Sequence, residues 1–153
     1  MRALVQRVTE GSVAIVTKNG KYFKEIGPGM VILLGVTHSD GEEEVNFVAD
    51  KCSRLRIFED DAGKMNLSLL DTGGEALVIS QFTLYGDARK GNRPNFIAAA
   101  KPEQAEKLYL KFLERMRENL GKEKVKTGIF GAMMKVKICN DGPVTILVES
   151  KEK

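Results

Sequence analysis

A chain of 153 residues with a formal net charge of +3 has the length of a single domain, residues 1–153, with enough chain to bury a core. The sequence contains no run of about 18 apolar residues, which excludes a membrane-spanning helix, and Met1-Arg2-Ala3-Leu4-Val5-Gln6-Arg7 lacks the apolar stretch of a secretory signal, so cytoplasmic residence is the expectation. Cys52 and Cys139 lie far apart, which excludes a disulfide framework and a C-x-x-C zinc site; their apolar neighbours predict two buried free thiols.

Residues 2–8 and 12–17 read as strands with Glu10-Gly11 as a tight turn between them, and Asn19-Gly20 is a second hairpin signal. Gly27-Pro28-Gly29 breaks the chain before Met30 to Val36, an apolar run typical of a strand buried on both faces. Val45, Val48, Cys52 and Leu55 recur at helical spacing, which predicts a helix over 41–56 with Asp40 as its N-cap. Asp60-Asp61-Ala62-Gly63 is a turn, and Ala76 to Phe82 an apolar strand. The clearest helix covers 102–120, with Pro102 in its first turn, Ala105, Leu108, Tyr109, Phe112, Leu113, Met116 and Leu120 on one stripe, and Gly121 as its C-cap. Two strands close the chain: one over about 133–139, with Met134, Val136 and Ile138 on one face, and one over 143–149, with Val144, Ile146 and Val148 on one face. Many strands with two main helices predict an α+β, β-rich single domain, barrel-like or of two packed sheets.

Chemistry is concentrated in two strings. Ser80-Gln81-Phe82-Thr83-Leu84 ends a buried strand. Its hydroxyl and amide side chains either satisfy a strand end or floor a pocket, in which the amides of Gln81 and Phe82 would receive an oxyanion and Phe82 would form an apolar wall. Asn140-Asp141-Gly142-Pro143-Val144-Thr145 is a turn signature before a strand. Its Gly142-Pro143 bond is trans in the plain reading; a cis bond would turn two successive carbonyls to one side, where they could hold an ammonium group. Arg7 is either solvated or a planar fork pinning a carbonyl of such a turn. His38, the one histidine, lies in the polar loop Thr37-His38-Ser39-Asp40 and reads as solvated; a triad would need it near Ser80 or Ser12 with a carboxylate behind it, and one histidine with two separated cysteines makes no metal set. Arg89-Lys90-Gly91-Asn92-Arg93, Lys122, Lys124, Lys126 and the pair Lys135 and Lys137 are either solvated faces or a surface that tracks phosphates.

These strings together resemble the D-aminoacyl-tRNA (D-tyrosyl-tRNA) deacylase family. The likeness runs through Ala3-Leu4-Val5-Gln6-Arg7-Val8, Gly63-Lys64-Met65-Asn66, Ser80 to Leu84, Arg93-Pro94-Asn95-Phe96, Thr127 to Ala132 with Met134, and Asn140 to Thr145. It implies a homodimer with active sites at the subunit interface, which hydrolyses the ester joining a D-amino acid to the terminal adenosine at the 3′ end of tRNA. Ser80, Gln81, Phe82 and Thr83 would be the catalytic segment. Gly142 and Pro143, joined by a cis bond, would enter the partner's pocket, with Arg7 bracing them and Met134 also on the substrate side. No metal, cofactor or membrane is implied. The nucleophile would be water, aided by the ribose 2′-hydroxyl, or else Thr83. Glycine, lacking a β-carbon, would escape a chirality check made by main-chain carbonyls. The rival classes are an RNA-binding module without catalysis, a small-molecule esterase using Ser80 or Thr83, and a purely structural β-rich dimer.

Overall fold

The computed structural model describes residues 1–150; residues 151–153 of the predicted domain lie outside the described residues. The chain runs β1 (Arg2–Thr17), β2 (Gly20–Ile26), β3 (Gly29–Gly35), α1 (Glu42–Arg54), β4 (Phe58–Glu59), β5 (Met65–Leu67), α2 (Leu69–Thr72), β6 (Glu75–Ser80), a 3₁₀ turn Phe82–Tyr85, α3 (Pro102–Leu120), β7 (Val125–Thr127) and β8 (Lys135–Glu149). One mixed sheet carries the order β2-β1-β3-β6-β7, with β8 along the other edge of β1. This is the predicted α+β class, with two main helices and one short one.

Period-two alternation builds two cores from the same strands. Ala3, Val5, Met30, Ile32, Leu34, Ala76 and Val78 face α1 and α3, whose Val45, Val48, Cys52, Leu108, Phe112 and Met116 cover them. Val13, Ile15, Val31, Leu77 and Ile79 face the other way, onto Tyr22, Met134, Val136 and Ile138. Strands β3 and β6 are thus buried on both sides, as their apolar runs predict. Asp50, on α1, takes a forked pair of hydrogen bonds from Arg115 at 2.8 Å each and locks the two helices together.

Five local expectations are corrected. Glu10-Gly11 is not a turn, because β1 continues through it as one strand of 16 residues. There β1 changes neighbours, from β3 over Arg2–Val8 to β2 over Gly11–Thr17, and Gly11 suits the crossing because a Cβ would meet the Val31 side chain at 2.8 Å. The two closing strands are one, β8, because both halves pair with β1 and the residues between them bulge outward. Strand β6 stops at Ser80, since the Phe82–Tyr85 turn follows at once. Asp40 does not cap α1, where Gly41 takes that position; the Asp40 carboxylate is already engaged by the Met1 ammonium at 2.6 Å and the Thr37 amide at 2.8 Å. Of the thiols, Cys52 is buried but Cys139 is exposed on β8. The Asn19-Gly20 hairpin, the Gly63 turn and α3 with its Gly121 cap form where expected.

Candidate active site

The Ser80–Thr83 segment begins where the parallel pairing of β6 with β3 ends, at Leu34 opposite Ser80. The chain then curls into the 3₁₀ turn. The Gln81 amide donates to the Leu34 carbonyl at 2.7 Å, so it is spent on the sheet and is not half of an oxyanion hole. Phe82 and Thr83, the first two residues of the turn, have no carbonyl of that turn within reach of their amides. These two N–H groups, unlike that of Gln81, are not spent on a backbone carbonyl. The Gln81 side-chain amide donates to Thr83 Oγ1. Phe82 is 57% exposed, and its ring meets Phe96 edge-on with centroids 5.1 Å apart. The far end of the turn is held by Arg2, which donates from Nη1 to the Leu84 carbonyl at 3.0 Å and lies over the Tyr85 ring.

His38 does not serve Thr83: its Nε2 lies 2.6 Å from the Ile97 carbonyl oxygen in an exposed loop. Among the described residues no cluster of three or more His, Cys, Asp or Glu side chains could hold a metal ion.

The second string forms the bulge. Gln6 faces Thr145 and Val8 faces Asn140, which leaves Asp141–Val144 outside the ladder opposite Arg7. The Gly142-Pro143 bond is cis, with Gly142 at φ 122°. Arg7 is only 7% exposed, which removes the solvated reading. Its Nε donates to the Asp141 carbonyl at 3.2 Å and its Nη1 to the Ile57 carbonyl at 2.8 Å, so one guanidinium ties the bulge to the loop after α1. At the outer end Asn140 accepts from the Val144 amide at 3.3 Å and donates to Thr145 Oγ1 at 2.9 Å. Gly142 and Pro143 remain exposed.

The two strings do not meet within one chain. Across the sheet Ser80 pairs with Leu34, Leu34 with Ala3 and Ala3 with Val148, whereas Arg7 pairs with Met30, and Met30 with Ala76. The bulge therefore lies four residues further along the strands and three strand spacings across, roughly 20 Å away along the sheet. Met134 is half-buried in the core cluster that contains Ile79, the residue before Ser80, with its sulfur filling the space a Cβ on Gly128 would need. A cleft of about 820 Å³ between β1, β2 and β8, lined by residues such as Phe23, Glu25, Lys137 and Cys139, includes no residue of either string.

A mixed sheet under two helices, with main-chain donors at the end of β6, defines a small α+β protein. The family described as D-Tyr-tRNA(Tyr) deacylase matches residues 4–149. A D-aminoacyl-tRNA deacylase of Bacillus velezensis is 56% identical over 99% of this chain and 100% of its own, and one of Brevibacillus brevis is 58% identical over 98% and 100%. Among solved structures, a c-Myc DNA unwinding element binding protein superposes with a TM-score of 0.91 at 44% identity, covering 99% of this chain and 100% of the other. A probable eukaryotic D-amino acid tRNA deacylase superposes at 0.84 with 17% identity, covering 97% and 98%, which shows the shared fold. The chain belongs to the D-Tyr-tRNA(Tyr) deacylase family.

The resemblance read from the sequence strings is therefore borne out. No helix among the described residues is long and apolar enough to cross a membrane. Sequence reasoning missed the Phe82–Thr83 amide pair, because whether the Gln81 amide is free depends on where β6 stops against Leu34.

Proposed function

We propose that this protein, as one domain over 1–153 acting in the cytoplasm, hydrolyses the ester between a D-amino acid and the 3′-terminal adenosine of tRNA, and glycyl esters as well. The observation that carries the proposal is the exposed Gly142–Pro143 bulge, clamped by a buried Arg7 and set far from Ser80–Thr83 in a chain of this family. Two such chains in a homodimer bring one copy's bulge to the other's Ser80 segment. The site then has a floor from one subunit and a wall from its partner.

The substrate ester is already activated, so positioning and oxyanion binding suffice. The amides of Phe82 and Thr83 receive the carbonyl oxygen as it gains charge. Water attacks, assisted by the neighbouring ribose 2′-hydroxyl. Thr83 ranks second as nucleophile, because no base contacts its hydroxyl and Gln81 already donates to it. The partner's Gly142 and Pro143 carbonyls hold the substrate ammonium close to the α-carbon. An L-residue would aim its β-carbon at them, and a D-residue aims it away.

Parallel turnover of D-tyrosyl-, L-tyrosyl- and glycyl-tRNA, with a chelator present, tests the proposal. D-tyrosyl and glycyl esters are cleaved and the L-tyrosyl ester is spared; efficient L-tyrosyl cleavage refutes it. Duplex DNA serves as competitor in the same assay, since a structural relative at 44% identity is described as binding a DNA element.

A further inference from the structure

We propose that the loop following the Phe82–Tyr85 turn is a phosphate clamp for the 3′ strand of RNA, with Lys90 and Arg93 as its contacts. The inference rests on the tRNA-deacylase reading for the identity of the RNA, but not for the existence of the clamp. Residues 86–101 carry four basic side chains against one carboxylate, an excess of three that equals the net charge of the whole chain. The loop is closed at its base, not a free tail: Asp87 and Asn95 exchange both backbone hydrogen bonds, at 2.8 and 3.0 Å, and Gly91 turns the tip at φ 69°.

The single carboxylate is already committed. Asp87 accepts Arg89 Nε at 2.9 Å, Arg89 Nη2 at 2.7 Å and the Arg89 amide at 3.0 Å. Those bonds hold its carboxyl down at about 2, so the clasp stays ionised at physiological pH. It fixes Arg89 and leaves Lys90 and Arg93 exposed, with no ion pair among the described residues.

The clamp is joined to the reaction site by short covalent and packed links. Gly86 donates to the Thr83 carbonyl at 2.9 Å, and Phe96, just past the loop's closure, packs on Phe82. A cleft of about 560 Å³ runs along the loop's foot between Arg2 and Arg89. From Asp87 to the Gly91 tip the chain spans at most about 13 Å. Phosphates along a stacked strand are spaced about 3.4 Å apart in rise, so the tip falls opposite the last few phosphates before the ester. Every tRNA presents these without regard to sequence.

The test compares the full-length Lys90→Ala/Arg93→Ala variant with the unaltered protein on D-tyrosyl-tRNA, on D-tyrosyl-adenosine, which lacks those phosphates, and in direct binding of uncharged tRNA across a salt series. The variant should need about tenfold more tRNA for half-saturation and keep kcat. Its log–log salt slope should flatten by about 1.4 to 1.8, the release expected for two phosphate contacts. D-tyrosyl-adenosine turnover should be unchanged, and Lys90→Arg/Arg93→Lys should bind tRNA normally. Equal losses on both esters, or unaltered tRNA affinity and slope, overturn the clamp. If the unaltered protein cleaves neither ester, the deacylase reading fails, and the binding series still decides the clamp.

Discussion

Replacing Arg7 with methionine removes the guanidinium while keeping most of the side chain's bulk. Two carbonyls lose a charged donor, and they are not equivalent. Ile57 is 5% exposed, so its carbonyl bond at 2.8 Å dominates the stability cost, about 1.5–3 kcal/mol for a hydrogen bond to a charged group. Asp141 is exposed, and water replaces much of what its carbonyl and carboxylate lose, adding on the order of 0–1 kcal/mol. The total is roughly 3 kcal/mol, read by urea unfolding with an unchanged m-value. The effect on activity has another origin: a bulge free to shift by about 1 Å costs on the order of a hundredfold in turnover. Arg7→Lys keeps the charge but reaches one carbonyl, and should fall between the two proteins. Turnover of D-tyrosyl-tRNA is measured well below the unfolding midpoint. If Arg7→Met loses stability but keeps full turnover and full rejection of L-tyrosyl-tRNA, the bulge has no part in the site.

Phe82→Pro removes the first amide of the turn at a position where proline is tolerated, and should lower kcat about 10²–10³-fold; Phe82→Ala keeps the amide and should lose far less, so matching losses would exclude the amide. Thr83→Ala should retain turnover, and its complete loss with tRNA binding intact would establish an acyl-enzyme. Equal amounts of Arg7→Met and Phe82→Pro, dissociated and reassociated, should regain about a quarter of normal activity, because half the dimers are mixed and each mixed dimer has one intact site of two; no regain means each site is built from a single chain. Gly29→Ala should cost about 3 kcal/mol or more in urea unfolding, since its Cβ would sit 1.8 Å from the Glu75 carbonyl oxygen in the β3–β6 ladder.

Most of the framework was legible in the sequence wherever burial imposes a period. Both helices, the doubly buried β3 and β6, and the inward face of β1 follow from apolar spacing alone, whereas on β8 Ile146, expected on one face with Val148, is exposed. The misreadings share one cause. Glu10-Gly11 and Gly142-Pro143 look like turns, yet in each case the strand continues because a neighbour supplies pairing on the far side. Pairing of that kind is long-range and leaves no local mark. Asp40 has the composition of an N-cap but is claimed by Met1, a residue 39 positions away. Arg7 is the instructive site residue: its alternation places it on a strand, but only the fold reveals that it reaches both Ile57 and Asp141. Cys139 resembles Cys52 in its neighbours, yet β8 turns it outward, whereas burial pushes the Cys52 thiol up to about 12.

In the proposed reaction, catalysis by main-chain amides and discrimination by main-chain carbonyls belong to the same design. A pocket that reads a side chain discriminates among amino acids, and its selectivity is set by what it contacts. The substrates proposed here differ in their side chains and share only the handedness of one carbon, so the discriminating contact has to fall at that carbon. Main-chain carbonyls on a bulge pinned by a buried guanidinium meet this requirement, because their position does not depend on any rotamer. The same logic applies to catalysis: an activated ester needs its oxyanion received, and fixed amides do so without reorganising. In the dimer proposed above, the separation of the bulge from the Phe82 and Thr83 amides by some 20 Å in one chain would make assembly a condition of activity. On that proposal a lone subunit would hold both halves and align neither with the other, which the mixed-dimer experiment tests.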